Sequence, residues 1–344
     1  MKRIGVAIIG LTPKRSWAAT AHLPALERLH ADYRLIGIAN SSAASATAAT
    51  NELGIGRAFA SAADLVTDPA VDLVVITVKV PHHAELVRLA VKAGKHLYCE
   101  WPLGRTHAEA RELAGLAASA GVVAAVGTQA VFAPAILDLA RLCREGRLGD
   151  ILSSTITGYG MTWGAEIEQR NAYLLDRHNG ATMLTIAVGH MLSAVEMVMG
   201  QIARVSAALS FRRRFTIVRE TGEHIVPSAP DQVMLTLWLA DGTPLSLHYR
   251  GGAPRGDGLV WTIDGTAASA RIVAPSGLVE MAPLTAQIND GGREGWVRRH
   301  RLSISPRWMA SNASTRRSRR RSAARPRRCR ISQMRSACTA SSRR

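Results

Sequence analysis

Several stretches of this chain carry residues able to do chemistry. Residues 10–17 read GLTPKRSW and follow an apolar run that ends in glycine. Gly10 lets the backbone approach a ligand closely, and Ser16 can cap the helix that follows. The free N–H groups of such a helix start suit a pyrophosphate. Thr12, Lys14 and Arg15 can add side-chain contacts. The loop lacks the second and third glycines of GxGxxG, so an ordinary surface loop is the competing reading. His190 lies in an apolar stretch, residues 181–199. An imidazole with an unperturbed pKa near ~6.5 suits a general base, while a lone histidine on an apolar helix also serves as a core residue. Tyr159, Trp163, Arg170 and Tyr173 form a polar, aromatic stretch suited to sugar recognition or to loop packing. Trp101, in KHLYCEWPLG, cannot take up a proton near neutral pH.

The elements that must position these residues alternate. Strand patterns cover residues 3–10, 33–40, 71–78, 96–99 and 122–127. Helix patterns cover 17–30, 43–53, 62–66, 83–93 and 106–120. This β-α series predicts an α/β fold, a Rossmann-type doubly wound parallel sheet with a ligand crevice at the strands' carboxyl ends. Beyond residue 127 come helices 133–145 and 181–199 and strands 151–159, 205–213, 232–239, 244–249, 259–264 and 270–273. They predict an α+β domain with an open, mostly antiparallel sheet. The expected division is a dinucleotide-binding domain at 1–127, a substrate and oligomerisation domain at 128–290, and a tail at 291–344.

A net charge of +17 suggests nucleic acid, but its distribution argues otherwise. Residues 291–344 hold 17 Arg, no Lys and one Glu, which leaves residues 1–290 close to neutral. That Arg-Ser-Ala stretch has no periodicity and is expected to be disordered. Arg without Lys fits a shifted reading frame of a GC-rich gene better than an arm selected to hold phosphates. Four cysteines without CxxC spacing support neither a disulfide framework nor a metal site. No signal peptide or membrane span is read, because His190 and Glu196 interrupt the longest apolar stretch, and a cytoplasmic location is expected.

The Gly-ended first strand, the apolar strand at 71–78 and the Glu100-Trp101-Pro102 segment together resemble the Gfo/Idh/MocA family of nicotinamide-dependent sugar oxidoreductases. GLTPKRSWAATAH, VKVPHHAE and YCEWPL resemble one branch of it, typified by the fungal galactose-pathway repressor. The resemblance spans residues 3–282. It implies NAD or NADP as cofactor, along Gly10, Thr12, Ser16, Trp17, Asn40, Glu100, Trp101 and Gln129. Asn40 stands where an acidic residue would repel a 2′-phosphate, so NADP is admitted. The family's motif is Glu-Lys-Pro, and its lysine helps deprotonate a substrate hydroxyl; here Trp101 replaces it. Two aspartates that flank the histidine in the sugar dehydrogenases are replaced by Ile186 and Ser193, leaving His190 as the remaining base. The resemblance therefore implies weak hydride transfer at a sugar or cyclitol hydroxyl, or an inactive dinucleotide-bound regulator that binds a protein partner. A homo-oligomer formed through the second-domain sheet is also implied.

Overall fold

The computed structural model describes residues 2–292 and 295–298, and the chain divides into two compact units. The first comprises Met1–Thr128, Glu168–Ile186 and Val218–Ala229. Its sheet contains β1 (Ile4–Ile9), β2 (Tyr33–Ala39), β3 (Arg57–Ala58), β4 (Leu73–Ile76), β5 (His96–Glu100) and β6 (Ala124–Gly127). The order is β3-β2-β1-β4-β5-β6 and every pairing is parallel. Because the chain runs outward in both directions from the β1–β4 pair, the loops after these strands diverge and leave a crevice at their carboxyl ends. The central strands are buried on both faces, which is why they read as near-continuous apolar runs.

Local signals set the helix ends. Ser42, Ser61 and Thr106 accept from the backbone N–H three residues on, starting α2 (Ala43–Leu53), α3 (Ala62–Thr67) and α5 (His107–Ser119). Gly54 in the left-handed region stops α2. Between α3 and α5 lies α4 (His83–Lys92). The helix expected over 17–30 is instead a wide π turn, Ala18–His22, followed by α1, Leu23–Arg28. The expected domain of residues 1–127 also proves incomplete. Two segments from much later in the chain belong to the first unit, and residues 168–186 form a strap whose contacts bear on the site.

The second unit takes Gln129–Ile167, Ala187–Ile217 and the described residues from Pro230 onward. Its eight-stranded sheet runs in the order Val297–Arg298, Thr285–Asn289, Ser269–Ala274, Leu259–Gly265, Ile151–Gly160, Pro244–Gly251, Gln232–Leu239, Ile202–Ser210. All neighbours are antiparallel except Ile151–Gly160 with Pro244–Gly251. Alternation buries one face through Ile156, Leu247, Tyr249, Trp261 and Leu235. The buried Trp261 indole donates to Ser154 Oγ at 2.9 Å, which donates in turn to the Thr262 carbonyl. Two helices, α6 (Pro134–Arg144) and α7 (Gly189–Met199), pack on each other in this unit.

The sheet corrects the boundary placed at residue 290, since Val297 and Arg298 pair with Ile288 and Gln287. The expectation of disorder for the rest of the tail lies outside the described residues. The helix expected over 181–199 begins as a π turn, Leu184–Val188, before α7. Among the described residues no helix is long and apolar enough to cross a membrane.

Candidate functional site

At the carboxyl end of β1 the chain turns through Gly10 with φ +101°, and a Cβ there would lie 2.7 Å from Val78 Cγ1 and 3.1 Å from the Thr77 carbonyl carbon. Only glycine fits so close to the loop after β4. Thr77 Oγ1 donates to the Gly10 carbonyl at 3.1 Å. Asn40, at the end of β2, accepts from Leu11 N–H at 2.9 Å and donates to the Leu11 and Ser45 carbonyls. Its amide thus pins the Gly10 loop. Ser16 accepts from the N–H groups of Thr12 and Ala19 at 3.0 and 3.2 Å, as a cap should. Lys14, itself at φ +57°, pairs with Glu52 at 3.0 Å on the surface. Thr12 is exposed and Trp17 half-buried. Trp17 Nε1 is buried and has no hydrogen-bond partner among the described residues. A close-approach glycine, a capped turn behind it and a spare indole donor fit a phosphate-bearing dinucleotide.

The end of β5 supplies the second part. Glu100 lies 2.6 Å from His22 Nε2, and both side chains are largely buried. The His22 ring meets Tyr98 edge-on, with centroids 5.2 Å apart. A Cβ on Gly127, at the end of β6, would come within 2.7 Å of Glu100 Oε2, so the glycine leaves room for this carboxylate beside β6. Burial pushes up the Tyr98 phenol and the Cys99 thiol, with the Glu100 charge adding to both shifts.

Trp101 follows, in a cis peptide with Pro102, and its Nε1–H donates to the Thr185 carbonyl at 2.6 Å. The indole therefore fastens the strap to the end of β5. A second fastening comes from the loop after β4, where Lys79 Nζ sits 4.6 Å from the centre of the Tyr173 ring. Gly180 supplies a third, since a Cβ there would fall 2.3 Å from Arg105 Cα. His83, at the start of α4, bridges the two loops with ring nitrogens 2.9 Å from the Pro102 and Val78 carbonyls. Sequence reasoning missed His22, His83 and Thr185. The histidines stand in quoted motifs, but no spacing marks a partner 78 residues away.

The remaining candidates belong to the second unit. His190, the first-turn residue of α7, is only 4 % exposed. Burial pulls its pKa down to about 4, well below the ordinary histidine value used to nominate it. Its Nδ1 has no hydrogen-bond partner among the described residues. Ser193 spends its hydroxyl on the His190 carbonyl at 2.8 Å. Gln129 opens the turn Gln129–Phe132 directly after the first unit's Met1–Thr128 segment. Of the aromatic stretch, Trp163 is buried, Tyr159 lies under the Arg250 guanidinium at 4.5 Å, and Arg170 pairs with Glu168.

The loops at the strand ends of the first unit can thus cradle a phosphate at Gly10 and present a carboxylate–imidazole pair at Glu100 and His22. The indole N–H at position 101 can donate but not take up a proton.

Comparison with known proteins gives this arrangement a lineage. Residues 4–128 match the model of the oxidoreductase family with an NAD-binding Rossmann fold, and residues 134–274 match that of the Gal80p C-terminal domain. The chain is 28 % identical over 301 residues to the galactose/lactose metabolism regulatory protein GAL80 of Kluyveromyces lactis, covering 82 % of this chain and 66 % of that one. It is 29 % identical over 306 residues to the dehydrogenase aclE of Aspergillus oryzae, covering 85 % and 83 %. The solved levoglucosan dehydrogenase, in complex with NADH and L-sorbose, shares the fold with a TM-score of 0.72 at 21 % identity, covering 86 % and 79 %. The match thus spans just under two thirds of the Kluyveromyces regulator's length. Residues 4–128 thus carry the NAD-binding Rossmann domain of the Gfo/Idh/MocA oxidoreductase family, and residues 134–274 are similar to the C-terminal domain of the Gal80 regulators.

Proposed function

We propose that this protein binds NAD, with NADP admitted, along Gly10, Thr12, Ser16, Trp17 and Asn40, with Glu100, Trp101 and Gln129 toward the nicotinamide end. It would transfer hydride slowly at a sugar or cyclitol hydroxyl. The dinucleotide, when bound, supplies the hydride acceptor or donor. This chain's own residues bind and orient it. The Gly10 backbone receives the pyrophosphate, and the Glu100 carboxylate, steadied by His22, accepts from a ribose hydroxyl. His190 is the proposed proton acceptor. A histidine drawn down to about 4 is neutral at pH 7 but a poor base, which supports slow turnover. Losing general-base assistance alone typically costs about 10²–10⁴-fold.

The observation that carries this reading is Trp101. It stands where the resemblance puts the family's lysine, and its indole N–H donates to the strap. The same bond favours a second reading, an inactive dinucleotide-bound regulator that presents its surface to a protein partner. A homo-oligomer through the second unit's sheet is compatible with both.

Calorimetric titration with NAD⁺, NADH, NADP⁺ and NADPH tests the common core, and silence with all four would overturn it. Incubation with NAD⁺ or NADP⁺ and a panel of aldoses, ketoses and inositols separates the two readings. Growing absorbance of reduced nicotinamide supports the enzyme. Binding without turnover across the panel supports the regulator.

A further inference from the structure

The site has a joint that neither reading has used. His83 is 1 % exposed and opens α4. Its Nδ1 lies 2.9 Å from the Pro102 carbonyl, in the loop after β5, and its Nε2 lies 2.9 Å from the Val78 carbonyl, in the loop after β4. A carbonyl oxygen can only accept. A neutral imidazole carries one N–H, so one of the two contacts would set lone pair against lone pair. The imidazolium donates to both.

Each loop in turn grips the strap of residues 168–186. Lys79, next to Val78, lies over Tyr173, and Trp101, next to Pro102, donates to Thr185. The Val78 side chain also stands where any Cβ on Gly10 would go. One ring therefore sets the spacing of the Gly10 cradle, the Lys79 loop and the Trp101 loop. We infer that His83 is a positioning residue for the dinucleotide site, joining the loops after β4 and β5, and that its doubly protonated ring is the form that completes the joint. The inference rests on the dinucleotide reading above.

The surroundings define what the proton must overcome. Burial lowers the His83 pKa on balance, against the smaller upward pull of the Val78 and Pro102 carbonyls, the Glu100 carboxylate and the Leu103 backbone. On β5, Tyr98 and Cys99 stay neutral because burial raises both. Lys79 is turned onto Tyr173. On α5, Glu109 is tied to Arg105, and Glu112 to Arg88 of α4. On α3, Asp64 is held by Ser61. His82 precedes the ring on its own turn. Glu100 is thus the anion that supports the charged ring. By reciprocity, a dinucleotide that needs the joined loops raises the proton affinity of His83.

The test uses the full chain. Nitrogen-15 NMR of the histidine rings from pH 5 to 8, with and without NAD⁺, counts the protons on His83. NAD⁺ titrations over the same range compare the wild type, His83→Gln, and His22→Gln as a control for the other ring facing Glu100. A glutamine amide can donate to one carbonyl and does not titrate. The expected result is wild-type affinity that falls about fivefold, the worth of one hydrogen bond, as pH rises through the His83 ionisation. That dependence disappears in His83→Gln and persists in His22→Gln. Added NAD⁺ should move the His83 resonances toward the doubly protonated form. Superposing pH profiles for wild type and His83→Gln, or a His83 ring indifferent to NAD⁺, would overturn the inference. If His83→Gln does not fold, the wild-type ring signals decide alone. If no dinucleotide binds, the dinucleotide reading falls, and the joint is judged by whether the Trp101 indole N–H signal moves with His83 ionisation.

Discussion

The loops at the strand ends of the first unit and three buried side chains of the second treat polar atoms in opposite ways. In the first, Asn40, Ser16, His22, Glu100, His83 and Trp101 each engage a protein partner. Trp17 is the exception. In the second, His190 Nδ1, Arg250 Nε and Glu280 Oε2 are buried with no hydrogen-bond partner among the described residues. A buried polar group left unpaired costs about 1–3 kcal/mol, so an unsatisfied group is where a water or ligand atom gains most. The first region holds its loops in fixed register. The second keeps polar capacity in reserve, and with it two titrating groups whose pH dependences oppose each other.

Steric substitution gives the largest expected effects and should separate the two regions cleanly. Gly10→Ala places a methyl 2.7 Å from Val78 Cγ1 at a φ of +101°. Backbone strain plus overpacking is expected to cost about 2–4 kcal/mol, with loss of at least tenfold in NAD⁺ affinity. Gly158→Ala, in the second unit, drives a methyl to 2.4 Å from the buried Tyr249 ring. It should destabilise the fold comparably. Denaturant unfolding and calorimetry check the pair. A stable Gly10→Ala that binds NAD⁺ normally would show that the cradle is not where the dinucleotide lies.

The reserve in the second unit should appear as two opposed pH slopes. His190 falls from its ordinary 6.5 to about 4 on folding, so between these values the unfolded chain holds the proton and acidification removes stability. Its full contribution is about 3 kcal/mol, lost as pH falls from 6.5 to 4. Glu280 rises from 4.5 to about 7 through burial, so the folded chain holds the proton and stability is lost as pH rises through that window. Over the overlap the two slopes nearly cancel, each near ~1.4 kcal/mol per pH unit. Urea melts of the wild type between pH 4.5 and 6.5 should therefore show a flat contribution from this pair. Glu280→Gln should uncover falling stability toward acid, and His190→Gln falling stability toward neutral pH. Identical profiles in all three proteins would mean that neither group is buried as described.

Much of the first unit was legible because its signals are local. Apolar runs end in Gly10 or Glu100, caps sit at Ser42 and Thr106, and the alternation of strand and helix patterns leaves one sheet type to build. The strands Gln232–Leu239 and Pro244–Gly251 were legible for the same reason, an alternating face with Asp241-Gly242 between them. The strap was not legible. Nothing in residues 168–186 signals that they pack with the first unit rather than with their sequence neighbours, since that choice is made by Trp101, Lys79 and Arg105 far upstream. The site divided along the same line. Gly10 and Ser16 announce themselves by type and position, whereas the His22–Glu100 and His83 contacts depend on tertiary register. His190 was found by its motif, but its lowered pKa comes from burial that a sequence does not display.

Trp101 offers a finer test of the first region. Trp101→Phe keeps the ring and deletes the N–H that reaches Thr185 at 2.6 Å. The half-buried Thr185 carbonyl loses its donor, at an expected cost of about 1–2 kcal/mol. Amide exchange over residues 168–186 should rise more than the global loss explains, because one fastening of the strap is gone. Trp101→Lys loses the same bond while restoring the family's base. A modest gain in turnover with a lowered melting temperature is its expected result. A gain without any loss would mean that the indole does not fasten the strap.

The smallest effect is expected at Lys14, and it bears on the choice between NAD and NADP. Lys14 pairs with Glu52 at 3.0 Å, with 87 % of its side chain and 50 % of its partner's exposed. Ion pairs this open contribute at most a few tenths of a kcal/mol, and Lys14 sits at φ +57°, where a side chain is mildly strained. Lys14→Ala should therefore leave stability within about 0.5 kcal/mol of the wild type. Its effect on the dinucleotide depends on whether the ammonium leaves Glu52 for a 2′-phosphate. Asn40 cannot help there, because its amide already serves Leu11 and Ser45. With Glu52 competing for the cation, Lys14→Ala should change NADPH affinity less than twofold and NADH affinity not at all. A tenfold loss confined to NADPH would instead make Lys14 the phosphate contact, with Glu52 holding it in reserve on the free protein.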